Sequence, residues 1–290
     1  TAKALTLYAE KGAGAFSATI EASSDGETWT RIGRASVAPA RGIESPGTLN
    51  FDPVIATQFR ITPTGTAKLA EVLFYATPRI DNWDHKGEHD FAGAAATIEK
   101  QPTNLKAEYA IDPAQVIDLT GRVDATGTLA WTPPEGEWTV LRFGHTPTGH
   151  LNVAASDSGR GLEVDKLSVA AVDHQFDSTL AKVMKAAGPL TGKAFDMIEI
   201  DSFEAGMQNW TATLPADFAK RNGYAITQYL PALTGRIVGD LDVSNRFLFD
   251  FRRTLADLMA DNYYGRMQER VNHAGLKFHI EGYGPGAFDA

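Results

Sequence analysis

Two short apolar runs in this sequence end in acidic residues. Residues 195–201 close on Glu199-Ile200-Asp201, and residues 276–281 close on His279-Ile280-Glu281. In both, aliphatic or aromatic positions alternate with polar ones: Ile198 and Ile200 against Glu199 and Asp201, then Leu276, Phe278 and Ile280 against His279 and Glu281. Alternation with a period of two belongs to a strand that packs one face and presents the other. A carboxyl group on the presented face is costly if it is desolvated without a partner. It is therefore either tied to loop amides and arginines or used for proton transfer, and at the C-terminal ends of parallel strands the second use is frequent. Glu281 and Asp201 are the best candidates, with Glu199 one step inside and open to either reading.

The loops that follow extend the pattern. Asp201-Ser202-Phe203-Glu204 leads through Gly206 to Gln208-Asn209-Trp210, and Glu281 leads into Gly282-Tyr283-Gly284-Pro285-Gly286. Carboxylates, amides and an indole together suit a polyhydroxylated ligand such as a sugar, whose hydroxyls take hydrogen bonds and whose apolar face stacks on an aromatic ring. Asp201, Glu204, Asn209, Trp210, His279 and Tyr283 are thus candidate binding residues; for Trp210 a packing role is the alternative. Asn209-Trp210-Thr211 also matches a glycosylation sequon, a motif frequent by chance. His145 and His150 lie in a Gly/Pro/Thr loop with no regular element to fix them as metal ligands. Glu163-Val164-Asp165-Lys166 reads either as the end of a first strand or as a solvated charge pair. Tyr263-Tyr264 falls on a long helix and reads as packing.

The elements that must hold these residues alternate between helix and strand from about residue 161. Ser168 can cap a helix reaching about Ala187, with Val169, Val172, Phe176, Leu180 and Val183 at three- and four-residue spacing. Shorter helical pieces are expected near 215–221 and 226–233. A long helix is expected from about Ser244 to Ala274, with Gly275 ending it. A helical crossover between two strands implies a parallel βαβ unit. An eight-stranded barrel needs about 250 residues, so only its first part fits in residues 161–290.

Upstream, residues 1–77 alternate in short runs around Leu5, Phe16, Ile32, Phe59 and Val72, and Ser24-Asp25-Gly26 supplies a tight turn. This predicts a β-sandwich. Residues 78–110 read as a connector, and 111–160 as a second β-rich region containing Leu129-Ala130-Trp131 and residues 138–143. The expected architecture is multidomain, β plus α/β: N-terminal β-sandwich regions, then the start of a TIM-type (β/α)8 barrel.

Composition narrows the partners. The formal net charge is -9, with no basic patch for phosphates, which argues against nucleic acid. No run of 18 apolar residues is present, so no membrane span is expected. The chain has no cysteine, which removes disulfides and thiolate metal sites. P-loop, G-x-G-x-x-G, H-E-x-x-H and G-x-S-x-G motifs are missing, removing nucleotide-dependent, zincin and serine-hydrolase readings for these residues. The first residue is Thr1, and both ends read as boundaries of a fragment.

Several longer runs resemble the glycoside hydrolase family 106 α-L-rhamnosidases. They are Asp201 to Thr211, Tyr229 to Arg236, Arg246 to Asp257, Gly161 to Lys166 and Glu281 to Gly284, with residues 129–144 similar to the segment before the barrel. The resemblance runs from Pro78 onward. It implies a large, exported bacterial enzyme, periplasmic or secreted, that removes terminal α-L-rhamnosyl groups from plant or bacterial polysaccharides or glycosides. It further implies inversion at the anomeric carbon, Glu281 as general acid, and a calcium ion contacting the sugar. The general base and calcium ligands are expected beyond Ala290, since inversion needs a second carboxylate roughly 6.5–9.5 Å away. Two rivals remain: a retaining glycosidase of another specificity, and a non-catalytic carbohydrate-binding module. Oligomeric state is not legible in the sequence.

Overall fold

A computed structural model describes the 290-residue chain except residues 11, 41–42, 81, 90–105, 153–154, 204 and 282–290, with backbone alone at 38–40 and 43–45. The chain forms two compact units, residues 1–144 with 224–248, and residues 145–223 with 249–290.

The first unit begins with seven strands: β1 (Ala2–Ala9), β2 (Phe16–Ser23), β3 (Thr30–Ala40), β4 (Ile43–Ser45), β5 (Gly47–Val54), β6 (Gln58–Pro63) and β7 (Leu69–Tyr75). They build two antiparallel sheets, ordered β5-β1-β7 and β4-β3-β2-β6. The alternating residues do what their spacing predicts: Leu5, Leu7, Phe16, Ala18, Ile20, Val37 and Leu49 are buried in one shared core. The turn between β2 and β3 works through Gly26 at φ 81 and through Asp25, whose Oδ1 accepts from the amides of Glu27 and Thr28. Those amides, Thr28 first, pull the Asp25 carboxyl down to about 2.

Residues 111–144 depart from expectation. In place of a second sheet they hold short 3-10 turns, Pro113–Gln115 and Thr120–Arg122, and two isolated bridges, Val123 with Leu129 and Ile111 with Val238. Trp131 and Trp138 meet edge to face at 5.5 Å, and the Trp138 indole donates to the carbonyl of Pro134. Aromatic and β-branched content suggested strands, but Pro133 and Pro134 have no amide to give a ladder. The unit also contains α1 (Trp83–Lys86), and Asn50 clamps its approach by exchanging two 2.7 Å bonds with the backbone of Arg79.

The second unit is built from helices and two strands. α2 (Val169–Gln175) starts at Ser168, whose hydroxyl accepts from the Ala171 amide, and continues through a π turn (Phe176–Leu180) into α3 (Ala181–Ala187). β8 (Met197–Ile200) follows, then α4 (Leu214–Asn222). The piece expected as helix at 226–233 belongs to the first unit and is a 3-10 segment, Thr227–Thr234, with Pro231 inside it. α5 (Leu241–Leu258), which belongs to the first unit as far as Leu248 and to the second from Phe249, runs through a second π turn (Met259–Gly265) into α6 (Arg266–His273), so the long helix begins slightly earlier than predicted. Its apolar stripe is buried at Phe247, Leu248, Phe251, Leu255, Leu258, Met267 and Val271. Gly275, at φ 76, ends it and admits β9 (Lys277–Ile280), which pairs parallel with β8. That parallel pair is the expected βαβ signature. Among the described residues no helix is long and apolar enough to cross a membrane.

Candidate active site

The register of β8 and β9 decides what meets what. Ile198 pairs with Phe278, Glu199 with His279, and Ile200 with Ile280. The Glu281 amide then donates to the Ile200 carbonyl over 2.9 Å, carrying the pairing past the strand ends to the level of Asp201. Side chains in matched positions of a parallel pair fall on the same face. The two residues singled out by alternation are therefore neighbours on the face that carries Glu199 and His279, while Ile198 is buried on the other.

Electrostatics distinguishes the two carboxyls. Asp201 lies below the usual carboxylate range, first because the Ser202 amide donates to its Oδ1 over 2.9 Å, then because Glu281 hydrogen-bonds to it. A hydrogen bond between two carboxyls needs one proton between them. Both the Ser202 amide and this bond favour the anionic form of Asp201. One step back, His279 Nδ1 lies 2.8 Å from Glu199 Oε1, both about half exposed. Glu199 is thus a hydrogen-bond partner of His279, the structural alternative its sequence left open.

The loop after β8 is anchored to residues 163–167. Asp165 Oδ1 accepts from the Leu167 amide at 3.0 Å and from the Gln208 side-chain amide, and its Oδ2 accepts from Thr211 at 2.8 Å. Gln208 also accepts from the Lys166 amide through Oε1. Lys166 is buried, with Nζ 2.6 Å from Glu163 and 5.5 Å from the ring centres of Phe203 and Tyr263. Residues 163–167 form no strand but lead into the turn before α2, and the π turn supports them: Asn262 donates to the Leu167 carbonyl at 2.7 Å, and Tyr263 is buried beside Lys166. Burial also raises the Tyr263 hydroxyl above its ordinary range. Tyr263 therefore packs, as its helical position predicted.

Of the other candidates, Asn209 and Trp210 are half-buried in this loop, between the two residues bound to Asp165. His150 is exposed, and its ring lies against Gly206, where an added Cβ would come within 2.4 Å of Nε2. His145 is exposed in the same stretch. Glu204 and Tyr283 fall outside the described residues. Sequence reasoning gave Asp165 no role beyond a strand end or a charge pair. Its partners stand 43 and 46 positions downstream, and no local spacing announces them. A cavity of about 260 Å³ lined by Ile198, Leu180, Tyr263 and Met267, among others, lies along β8; it is smaller than a typical ligand pocket of roughly 300–1,000 Å³.

Ca²⁺ takes roughly six to eight oxygen ligands, and among the described residues no three acidic or imidazole side chains converge on one point.

Comparison with known proteins follows the same lines. A rhamnosidase structure from Novosphingobium sp. PP1Y superposes with a TM-score of 0.74 at 30% identity, over 97% of this chain and 26% of that one. A protein of Formosa agariphila named beta-glucuronidase is 43% identical over 185 residues, 64% of this chain and 16% of its own length. The chain therefore spans about a quarter or less of either relative. A family model described as alpha-L-rhamnosidase matches residues 8–288, reaching well upstream of Pro78, where the sequence resemblance began. The chain belongs to glycoside hydrolase family 106.

Proposed function

We propose that this chain is the front part of an exported bacterial α-L-rhamnosidase that cleaves terminal rhamnosyl groups with inversion, Glu281 serving as general acid. The observation that carries the reading is the parallel register that sets Glu281 beside an ionised Asp201. In this reading Glu281 gives its proton to the glycosidic oxygen as the bond to the anomeric carbon breaks. Asp201 keeps that proton in place until transfer, because the Ser202 amide stabilises it as the anion. Asn209, Trp210, His279, Glu204 and Tyr283 bind the sugar.

Asp201 does not serve as the second catalytic carboxylate. Two carboxyls in hydrogen-bonding reach are closer than the roughly 5–5.5 Å of retaining pairs or the 6.5–9.5 Å of inverting ones. The general base therefore comes from another part of the longer protein. Calcium belongs to the proposal through the family resemblance alone, and no step is assigned to it. The N-terminal sheets form a β-sandwich in this reading, and β8 and β9 are early strands of a (β/α)8 barrel. Export to the periplasm or the medium follows the same resemblance, and cell fractionation would check it.

One observation favours a second reading. The Formosa agariphila relative carries the name beta-glucuronidase, which points to a β-linked glucuronide as substrate. The full-length enzyme should hydrolyse p-nitrophenyl α-L-rhamnopyranoside and release the inverted anomer first by proton NMR. Turnover of p-nitrophenyl β-D-glucuronide alone would replace the proposal with this second reading, and first release of the retained anomer would reject inversion.

A further inference from the structure

The Asn209–Trp210 pair sits between two residues that share one acceptor. Gln208 on its N-terminal side and Thr211 on its C-terminal side both donate to Asp165, one to each carboxyl oxygen. Oδ1 also accepts from Leu167, which fixes the carboxyl plane relative to the turn that leads into α2. The Gln208 amide is committed at both ends, since its oxygen accepts from Lys166. Closing a short segment at both flanks removes most of the conformational freedom its side chains would otherwise lose on binding a ligand.

We infer that Asp165 is a positioning residue, which presents Asn209 and Trp210 to the ligand by clamping Gln208 and Thr211. This rests on the reading of Asn209 and Trp210 as sugar-contacting residues. Asp165 acts through hydrogen-bond geometry and not through its charge. Three donors converge on two oxygens, and the neighbouring cation Lys166 is already paired with Glu163. Residues 163–166, which the sequence left between strand end and charge pair, thus serve as the anchor of the loop after β8. Phe203 over Lys166 and Gly206 under the His150 ring hold the earlier part of the same loop.

The chemistry of asparagine makes the inference testable. Asp165→Asn keeps the Oδ1 acceptor for Leu167 and Gln208, and its amide can donate to the Thr211 hydroxyl, which accepts as readily as it donates. Asp165→Ala removes every contact. In the full-length enzyme, hydrogen exchange of a peptide covering 205–211 should quicken about tenfold or more in Asp165→Ala and stay near wild type in Asp165→Asn. With p-nitrophenyl α-L-rhamnopyranoside, Asp165→Ala should raise KM about tenfold or more with a smaller change in kcat, and Asp165→Asn should restore KM to within about threefold. An asparagine variant as impaired as the alanine variant would show that the charge is what matters and would overturn the inference. Unchanged exchange in Asp165→Ala would overturn it as well. Quickened exchange with no rhamnoside turnover in the wild-type enzyme would leave the clamp standing and reject the substrate assignment instead.

Discussion

The Glu281 amide donates to the Ile200 carbonyl over 2.9 Å, one residue beyond the last paired positions of β8 and β9. This bond aligns Glu281 with Asp201, whose depressed titration reflects the Ser202 amide first and Glu281 second.

The coupling gives a titration with a definite sign. A carboxyl whose folded pKa is lowered adds stability above its unfolded value and loses it as pH falls through the folded one. For Asp201 that window lies below the ordinary value of 3.8. Selective ¹³C labelling should show the Asp201 carboxyl titrating below 3.8. Glu281→Ala should move it part of the way back up, because the Ser202 amide remains. An Asp201 titration indifferent to Glu281 would break the link between the two.

Gly206 gives a second prediction. Its φ of 80° favours glycine, and a Cβ there would meet His150 Nε2 at 2.4 Å. Left-handed geometry costs a non-glycine residue roughly 1–2 kcal/mol, and the imidazole must also move. Gly206→Ala should therefore lower the unfolding free energy by at least that amount, measured by chemical denaturation. Adding His150→Ala should recover the steric part and leave the backbone part. Simple additivity in the double-mutant cycle would show that the ring does not rest on this glycine.

How much of this was legible depends on the range of the interactions. Alternation over six or seven residues located β8, β9 and the neighbouring positions of Asp201 and Glu281, because the period of a strand is local. Ser168 and Gly275 marked helix ends for the same reason. The π turns at Phe176–Leu180 and Met259–Gly265 were invisible, since one extra residue in a turn barely disturbs a three-to-four spacing. Trp131, Trp138 and Val140 suggested strands in 111–144, but a strand needs a neighbour, and sequence does not say whether one is adjacent. Asp165 escaped notice because its meaning lies with Gln208 and Thr211.

The long helix supplies a stability prediction. Leu255 is fully buried on its apolar stripe. Leu255→Ala should cost about 2–5 kcal/mol, the usual sum of lost transfer energy and residual cavity. Chemical denaturation would measure it, and a loss under about 1 kcal/mol would mean that this face is not packed as described.

The most direct test of the central claim is the turnover of Glu281→Gln in the full-length enzyme, using two aryl α-L-rhamnosides of different leaving-group acidity. A general acid contributes typically about 10²–10⁴-fold, and a leaving group that needs no proton escapes the loss. The account predicts a fall of roughly that size in kcat/KM on the p-nitrophenyl substrate, with unchanged melting temperature, and a much smaller fall on the 2,4-dinitrophenyl substrate. Activity within about tenfold of wild type on both substrates, with the loss appearing instead in Glu204→Gln, would contradict it.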